Sequence, residues 1–322
     1  MQLDLIRALQ DLRSPALTAF FEVVTTIGSS QFYIFLLPIL FWCVSTTLGY
    51  RFVLVVLISA YLNSALKDAG PIFISNQRVF FTTRPFAAYP QQVWTCLRDP
   101  LFDPQALLAR LCREEESFSF PSGHAQTSLV AWGYLLTTIR RRWFTALAVL
   151  LIALIGLSRV YLGQHWPVDV LGGWLIGSVL LGGAFYLFSV WRRRPRLLNR
   201  LLLAMMLVLV PLLLLLDPDP AFNRTRALGL IAGSSLGHLA QIHYAPFGVR
   251  APWPVQIAKL TIGIVGIIGL LFGLGALLPN TQIAELGLTV LIGLWVTFGA
   301  PLIFGRLWGM PQADTRESLM NT

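Results

Sequence analysis

The sequence predicts an all-α, polytopic membrane protein. Three observations carry that expectation. Hydrophobic residues fill 56% of the 322 positions and charged residues only 12%, about half the share of roughly 25% in a soluble domain. Apolar runs recur near 31–48, 52–66, 125–139, 143–158, 170–190, 197–216, 227–242, 256–278 and 286–304. About 20 residues cross a hydrocarbon core of roughly 30 Å, so these read as about nine spans, with 52–66 and 125–139 lengthened by flanking polar positions. Finally, arginines cluster in short connections between runs, as Arg140-Arg141-Arg142 and across Arg192–Arg200. That placement is a topology signal. It also sets the meaning of the net charge of +9: the expected partners are membrane lipids with anionic headgroups, not nucleic acid.

Each segment follows in order. Residues 1–30 read as an N-terminal amphipathic surface segment, because Asp4, Arg7, Asp11 and Arg13 interrupt any continuous apolar stretch. They lack the basic-then-apolar pattern of a cleavable signal peptide. Residues 31–190 form the expected core, with a long polar loop over 67–123. Residues 191–306 add four spans, and 307–322 form a cytoplasmic tail. With the arginine clusters placed in the cytoplasm, the N-terminus lies outside and the C-terminus inside. Excluding the tail, inner segments then hold 12 basic residues and no acidic ones, and outer segments hold 11 basic and 13 acidic. The outer loop carries Cys96 and Cys112, a candidate disulfide in an oxidising compartment. Neither is part of a paired Cys-x-x-Cys with nearby histidines, so no zinc site is expected.

The residues with chemistry gather on the outer face. Pro121-Ser122-Gly123-His124 opens span three, Ser158-Arg159 closes span four, His165 and Asp169 precede span five, and Arg84-Pro85 lies in the outer loop. This set suits phosphoryl transfer, whose transition state spreads charge over three oxygens and needs fixed donors. Arg84 and Arg159 supply planar forks, and Lys67 a point charge. The backbone at Ser122 and Gly123 supplies the N–H groups of a helix N-terminus. An imidazole can be nucleophile or general acid. Asp169, four residues after His165, can fix its tautomer across one helical turn.

These blocks resemble the type 2 phosphatidic-acid phosphatase superfamily of integral membrane phosphatases. The family pattern is a lysine leading to Arg-Pro, then Pro-Ser-Gly-His, then Ser-Arg-x5-His-x3-Asp, which stands here complete from Ser158 to Asp169. The resemblance implies His165 as nucleophile, Asp169 as its partner and His124 as the acid for the leaving group. It implies Lys67, Arg84, Ser122, Gly123 and Arg159 as the phosphate cradle. It also implies a metal-independent phosphoric monoester hydrolase of the acid phosphatase type, with no cofactor. The 16 residues between Lys67 and Arg84 exceed the family spacing, so either Lys67 reaches the site across an insertion or Arg78 takes its place. The layout of nine spans is similar to the glucose-6-phosphatase branch.

The expected activity is hydrolysis of phosphate or diphosphate monoesters at the extracytoplasmic face of a bacterial plasma membrane, or the equivalent lumenal face of the endoplasmic reticulum. A phosphatidate-type or polyprenyl lipid is favoured over a soluble sugar phosphate. A third reading is a lipid transporter or scramblase using the extra spans. Elsewhere, His238 and His243 are expected to pack structurally, Gly263, Gly266, Gly269 and Gly273 to admit a close helix neighbour, and Trp94, Trp166 and Trp174 to anchor at the interface.

Overall fold

The computed structural model describes residues 1–73, 83–95, 117–216 and 222–309. Among them the regular structure is helical, without strands. We number the helices α1 (Gln2–Asp11), α2 (Pro15–Ile27), α3 (Ser30–Ile39), α4 (Thr46–Phe73), α5 (Pro85–Ala88), α6 (Gly123–Ile139), α7 (Arg142–Tyr161), α8 (Pro167–Arg193), α9 (Pro195–Leu216) and α10 (Asn223–Tyr244). Two more, α11 (Trp253–Leu277) and α12 (Gln282–Trp308), run through single wide π-type stretches.

Among the described residues, six helices are long and apolar enough to cross a membrane: Thr46–Asp68, Arg142–Tyr161, Pro167–Arg193, Pro195–Leu213, Trp253–Leu277 and Gln282–Trp308. The protein is a multi-pass membrane protein. The other three predicted runs are helical but differ in kind. The 31–48 run holds α3, with Pro38 inside it, and a wide turn over Leu40–Val44 that ends at extended Ser45. Helix α6 has 17 residues, about 25 Å at ~1.5 Å each, which is the lower limit for a crossing. Helix α10 has 22 residues but carries Arg224, Arg226, His238, Gln241 and His243.

The chain divides into two compact units, each discontinuous in sequence. The first contains 1–33 and 62–182. Its core joins Ile6, Phe86, Val93, Ala125, Val160, Trp166 and Val170. Trp166 is therefore no interface anchor: it is fully buried, and its Nε1 donates to the Thr83 carbonyl at 2.9 Å. Glycines bring α8 onto the chain around Ser122. A Cβ on Gly173 would lie 2.6 Å from the Ser122 carbonyl oxygen, and one on Gly172 would overlap the Phe120 ring. Arg140, with φ 45°, ends α6 in the left-handed region, and α7 returns antiparallel-wise after that tight link.

The second unit contains 34–61 and 183–322. Here α10 packs against α12 through small residues: Gly229 meets Thr289, Gly233 meets the Val290 backbone and Gly237 meets Thr297. On α11, Gly263 faces Trp42 and Gly266 faces Trp295, whereas Gly269 and Gly273 have nothing within 4 Å among the described residues. Among those residues, half of the predicted stripe is a packing face. His238 stacks on Tyr50, with centroids 4.1 Å apart, and meets Phe41 edge-on. Lys259 is buried, and its ammonium donates to the carbonyls of Trp42, Gly248 and Val249 at 2.9–3.0 Å. Three carbonyls match its three N–H donors, which lets a charged group sit inside the unit.

Candidate active site

The predicted blocks converge within the first unit. The C-terminal turn of α7 carries Ser158 and Arg159. The chain then folds back, so that the Arg159 carbonyl accepts from the amides of Gln164 at 3.0 Å and His165 at 3.1 Å. Gly163, at φ 69°, makes the turn; an L side chain is strained there. Its carbonyl accepts from the Phe86 amide at 3.2 Å, which draws the Arg84-Pro85 turn alongside. The Ser122 amide donates to the Asp169 carbonyl at 3.0 Å, which ties the start of α6 to the start of α8.

His165 and Asp169 have fully buried side chains. His165 Nδ1 lies 3.4 Å from Asp169 Oδ2, a long contact. The same oxygen accepts from Ser119 Oγ at 2.5 Å and from the Trp166 amide at 2.8 Å. On the other side of the ring, Nε2 lies 3.1 Å from Arg84 Nη1. A guanidinium only donates, so Nε2 is the acceptor there and carries the lone pair. The proton then sits on Nδ1, facing Asp169. This is the tautomer a nucleophilic imidazole needs.

Arg84 is held on several sides. Its Nε donates to the Ser117 carbonyl at 2.9 Å, Nη1 also to the Gln164 carbonyl at 3.0 Å, and Nη2 to Ser117 Oγ at 3.0 Å. Lys67, buried on α4, donates to the same Ser117 hydroxyl at 3.0 Å. One serine thus brings Lys67 and Arg84 together in spite of their separation in sequence. Arg78, the other candidate for the first cation, lies outside the described residues, as do Cys96 and Cys112.

Ser122 is the N-cap of α6, and Gly123 is its first residue. A Cβ on Gly123 would lie 2.9 Å from Asn63 Oδ1, so glycine lets α4 and α6 approach. The Ser122 hydroxyl is buried with no hydrogen-bond partner among the described residues. His124 is half-buried on the first turn of α6. Arg159, also buried, donates from Nη1 to Thr25 Oγ1 on α2 at 3.0 Å.

Sequence reasoning did not single out Ser117, Ser119 or Thr25. The alternation Ser117-Phe118-Ser119-Phe120 held a usable signal, since residues two apart on an extended chain share a side. Thr25 left none, because its role depends on tertiary packing.

Residues 48–194 match the PAP2 superfamily, and residues 225–312 match the transmembrane extension of PAP2 superfamily phosphatases. A lipid phosphate phosphatase delta of Arabidopsis thaliana is 31% identical over 55% of this chain and 40% of its own length. An undecaprenyl-diphosphatase of Sulfolobus acidocaldarius is 47% identical over 19% of this chain and 29% of its own. The chain thus spans well under half of either protein. A probable sphingosine-1-phosphate phosphatase of Dictyostelium discoideum is 24% identical over 94% of this chain and 72% of its own. Among solved structures, Aquifex aeolicus LpxE aligns at TM-score 0.42 with 25% identity, over 57% of this chain and 94% of that one. With the superfamily match and the extension match following one another along it, the chain belongs to the PAP2 superfamily.

Proposed function

We propose that the protein is a membrane phosphatase that hydrolyses phosphate or diphosphate monoesters of a lipid at the extracytoplasmic face, through a phosphohistidine on His165. The observation that carries this is the buried network in which the Nε2 lone pair of His165 faces Arg84 while Nδ1 faces Asp169. The substrate phosphate takes the place of Nε2 as acceptor for Arg84. Lys67, Arg159 and the first N–H groups of α6 complete its cradle. Nε2 then attacks phosphorus as the bond to the leaving oxygen breaks, and His124 protonates that oxygen, which belongs to an alkoxide for a phosphate monoester and to a lipid phosphate for a diphosphate. Asp169 stabilises the imidazole as it gains positive charge, the role of the carboxylate in a Ser-His-Asp triad. Water, deprotonated by His124, attacks the phosphohistidine. The P–N bond breaks, orthophosphate leaves, and both histidines return to their starting state.

The three cations supply the charge that a metal would otherwise provide, so the proposed reaction needs none. A lipid substrate is supported by the membrane setting and by the names of the relatives, which act on lipid phosphates and polyprenyl diphosphates. The extracytoplasmic face is supported by the arginine signal: α6 and α7 each have a site residue at one end and the Arg140–Arg142 cluster at the other.

A phosphate-release screen with purified protein tests the reading, over phosphatidate, a sphingoid-base phosphate, a polyprenyl diphosphate and a water-soluble sugar phosphate. Release is expected from a detergent-dispersed lipid, undiminished by EDTA and abolished in His165→Ala. Preference for the sugar phosphate would overturn the lipid assignment. Undiminished turnover in His165→Ala would remove the nucleophile.

A further inference from the structure

The helix preceding the first predicted span makes a contact with the site that the family blocks do not include. Thr25 is buried on the last turns of α2, and its hydroxyl accepts from Arg159 Nη1 at 3.0 Å across 134 residues of sequence. Nothing local requires the contact. A threonine in a helix can satisfy itself on the preceding turn, as Thr26 does by donating to the Glu22 carbonyl at 2.8 Å.

The surrounding contacts hold α2 in register with the end of α7. Tyr161 lies two residues beyond Arg159. Its hydroxyl meets Thr18 Oγ1 at 2.9 Å, and its ring packs on Phe21 with centroids 4.5 Å apart. Its carbonyl accepts from Gln10 Nε2 on α1 at 2.8 Å. Three residues past Thr25, a Cβ on Gly28 would lie 2.5 Å from Ile155 Cγ2 and 3.4 Å from the His124 ring. The end of α2 therefore borders both Arg159 and His124.

We propose that α2 is a positioning element of the active site, in which Thr25 orients the Arg159 guanidinium for the phosphoryl group. This rests on the reading of Arg159 as a phosphate ligand. An arginine fork binds phosphate through geometry as well as charge. Fixing Nη1 on a buried hydroxyl sets the plane of the fork and directs its other edge into the cradle.

The test uses the full chain in detergent, with Thr25→Val, Thr25→Ser, Arg159→Lys and the double variant Thr25→Val/Arg159→Lys. Two quantities are read: affinity for inorganic phosphate, from ligand-dependent thermal stabilisation, and kcat and KM on a dispersed lipid phosphate. Loss of a hydrogen bond to a charged group predicts phosphate affinity about tenfold weaker in Thr25→Val. KM should rise alongside, and Thr25→Ser should stay within about twofold of the parent because it keeps the hydroxyl. On the Arg159→Lys background, Thr25→Val should add less than about twofold, since coupled residues are non-additive. Parental phosphate affinity in Thr25→Val overturns the proposal. So does equal impairment in Thr25→Ser, or an undiminished effect on the Arg159→Lys background. Should Thr25→Val not fold, Thr25→Ala serves the same comparison. The two readings separate cleanly. If no lipid phosphate is hydrolysed while phosphate affinity follows the predicted order, the hydrolase reading fails and the positioning role stands. If turnover depends on His165 but not on Thr25, only the positioning role fails.

Discussion

At the scale of single residues, the site is organised around shared acceptors. Asp169 Oδ2 collects Ser119, the Trp166 amide and His165, and Ser117 collects Lys67 and Arg84. Asp169→Asn keeps the shape but removes the charge that favours a proton on Nδ1. Its kcat is expected to fall by about 10²- to 10⁴-fold, by analogy with the same change in a Ser-His-Asp triad, with KM little altered. Ser119→Ala removes one donor from that carboxylate and should cost about tenfold in kcat, the scale of one hydrogen bond to a charged group. Steady-state kinetics on the best lipid substrate checks both; an Asp169→Asn enzyme with parental kcat would deny the carboxylate its role. The histidines, arginines and aspartate could be proposed from the sequence, because their types suit phosphoryl transfer and their order resembles a family pattern. Ser117 and Thr25 could not, because they act by contacts made 33 and 134 residues away.

At the scale of elements, close approach is set by glycines whose neighbours are backbone. A Cβ on Gly173 would lie 2.6 Å from the Ser122 carbonyl oxygen, whereas one on Gly182 of the same helix would have nothing within 4 Å among the described residues. Gly173→Val is expected to destabilise the protein by about 1–3 kcal/mol through overpacking and to lower activity, because it pushes α8 from the start of α6. Gly182→Ala should be neutral or stabilising by up to about 1 kcal/mol, since alanine is the better helix former. Thermal unfolding of the two variants in detergent makes the comparison, and equal melting temperatures would contradict it. The start of α6 at Gly123 could be read from sequence, because Ser122 is a good cap and Gly123 begins an apolar run. The break in the 31–48 run at Leu40–Val44 could not, nor could the position of Lys259. That lysine reads as a charge at a span end, but it is buried on the carbonyl of Trp42, 217 residues away, and on those of Gly248 and Val249.

At the scale of the whole molecule, composition and apolar runs suffice for the fold class, but hydropathy alone does not settle which helices cross. Among the described residues, six meet the length and composition of a span. We expect α3, α6 and α10 to complete nine, with the N-terminus outside and the C-terminus inside, because that arrangement places every arginine cluster on one face. In a background with Cys43, Cys96 and Cys112 replaced by serine, a cysteine beside Met1 should react with an impermeant thiol reagent in intact cells. One beside Arg141 should react only after permeabilisation, and the reverse pattern would invert the topology and move the site to the cytoplasm. Trapping the covalent intermediate tests the phosphohistidine route on His165. Purified protein is mixed with a lipid phosphate radiolabelled on phosphorus, quenched within a turnover and mapped. The label is expected to be stable to alkali and labile to acid, located on His165, and absent from His165→Ala. Unlabelled protein during full turnover, or label on another residue, would contradict that route.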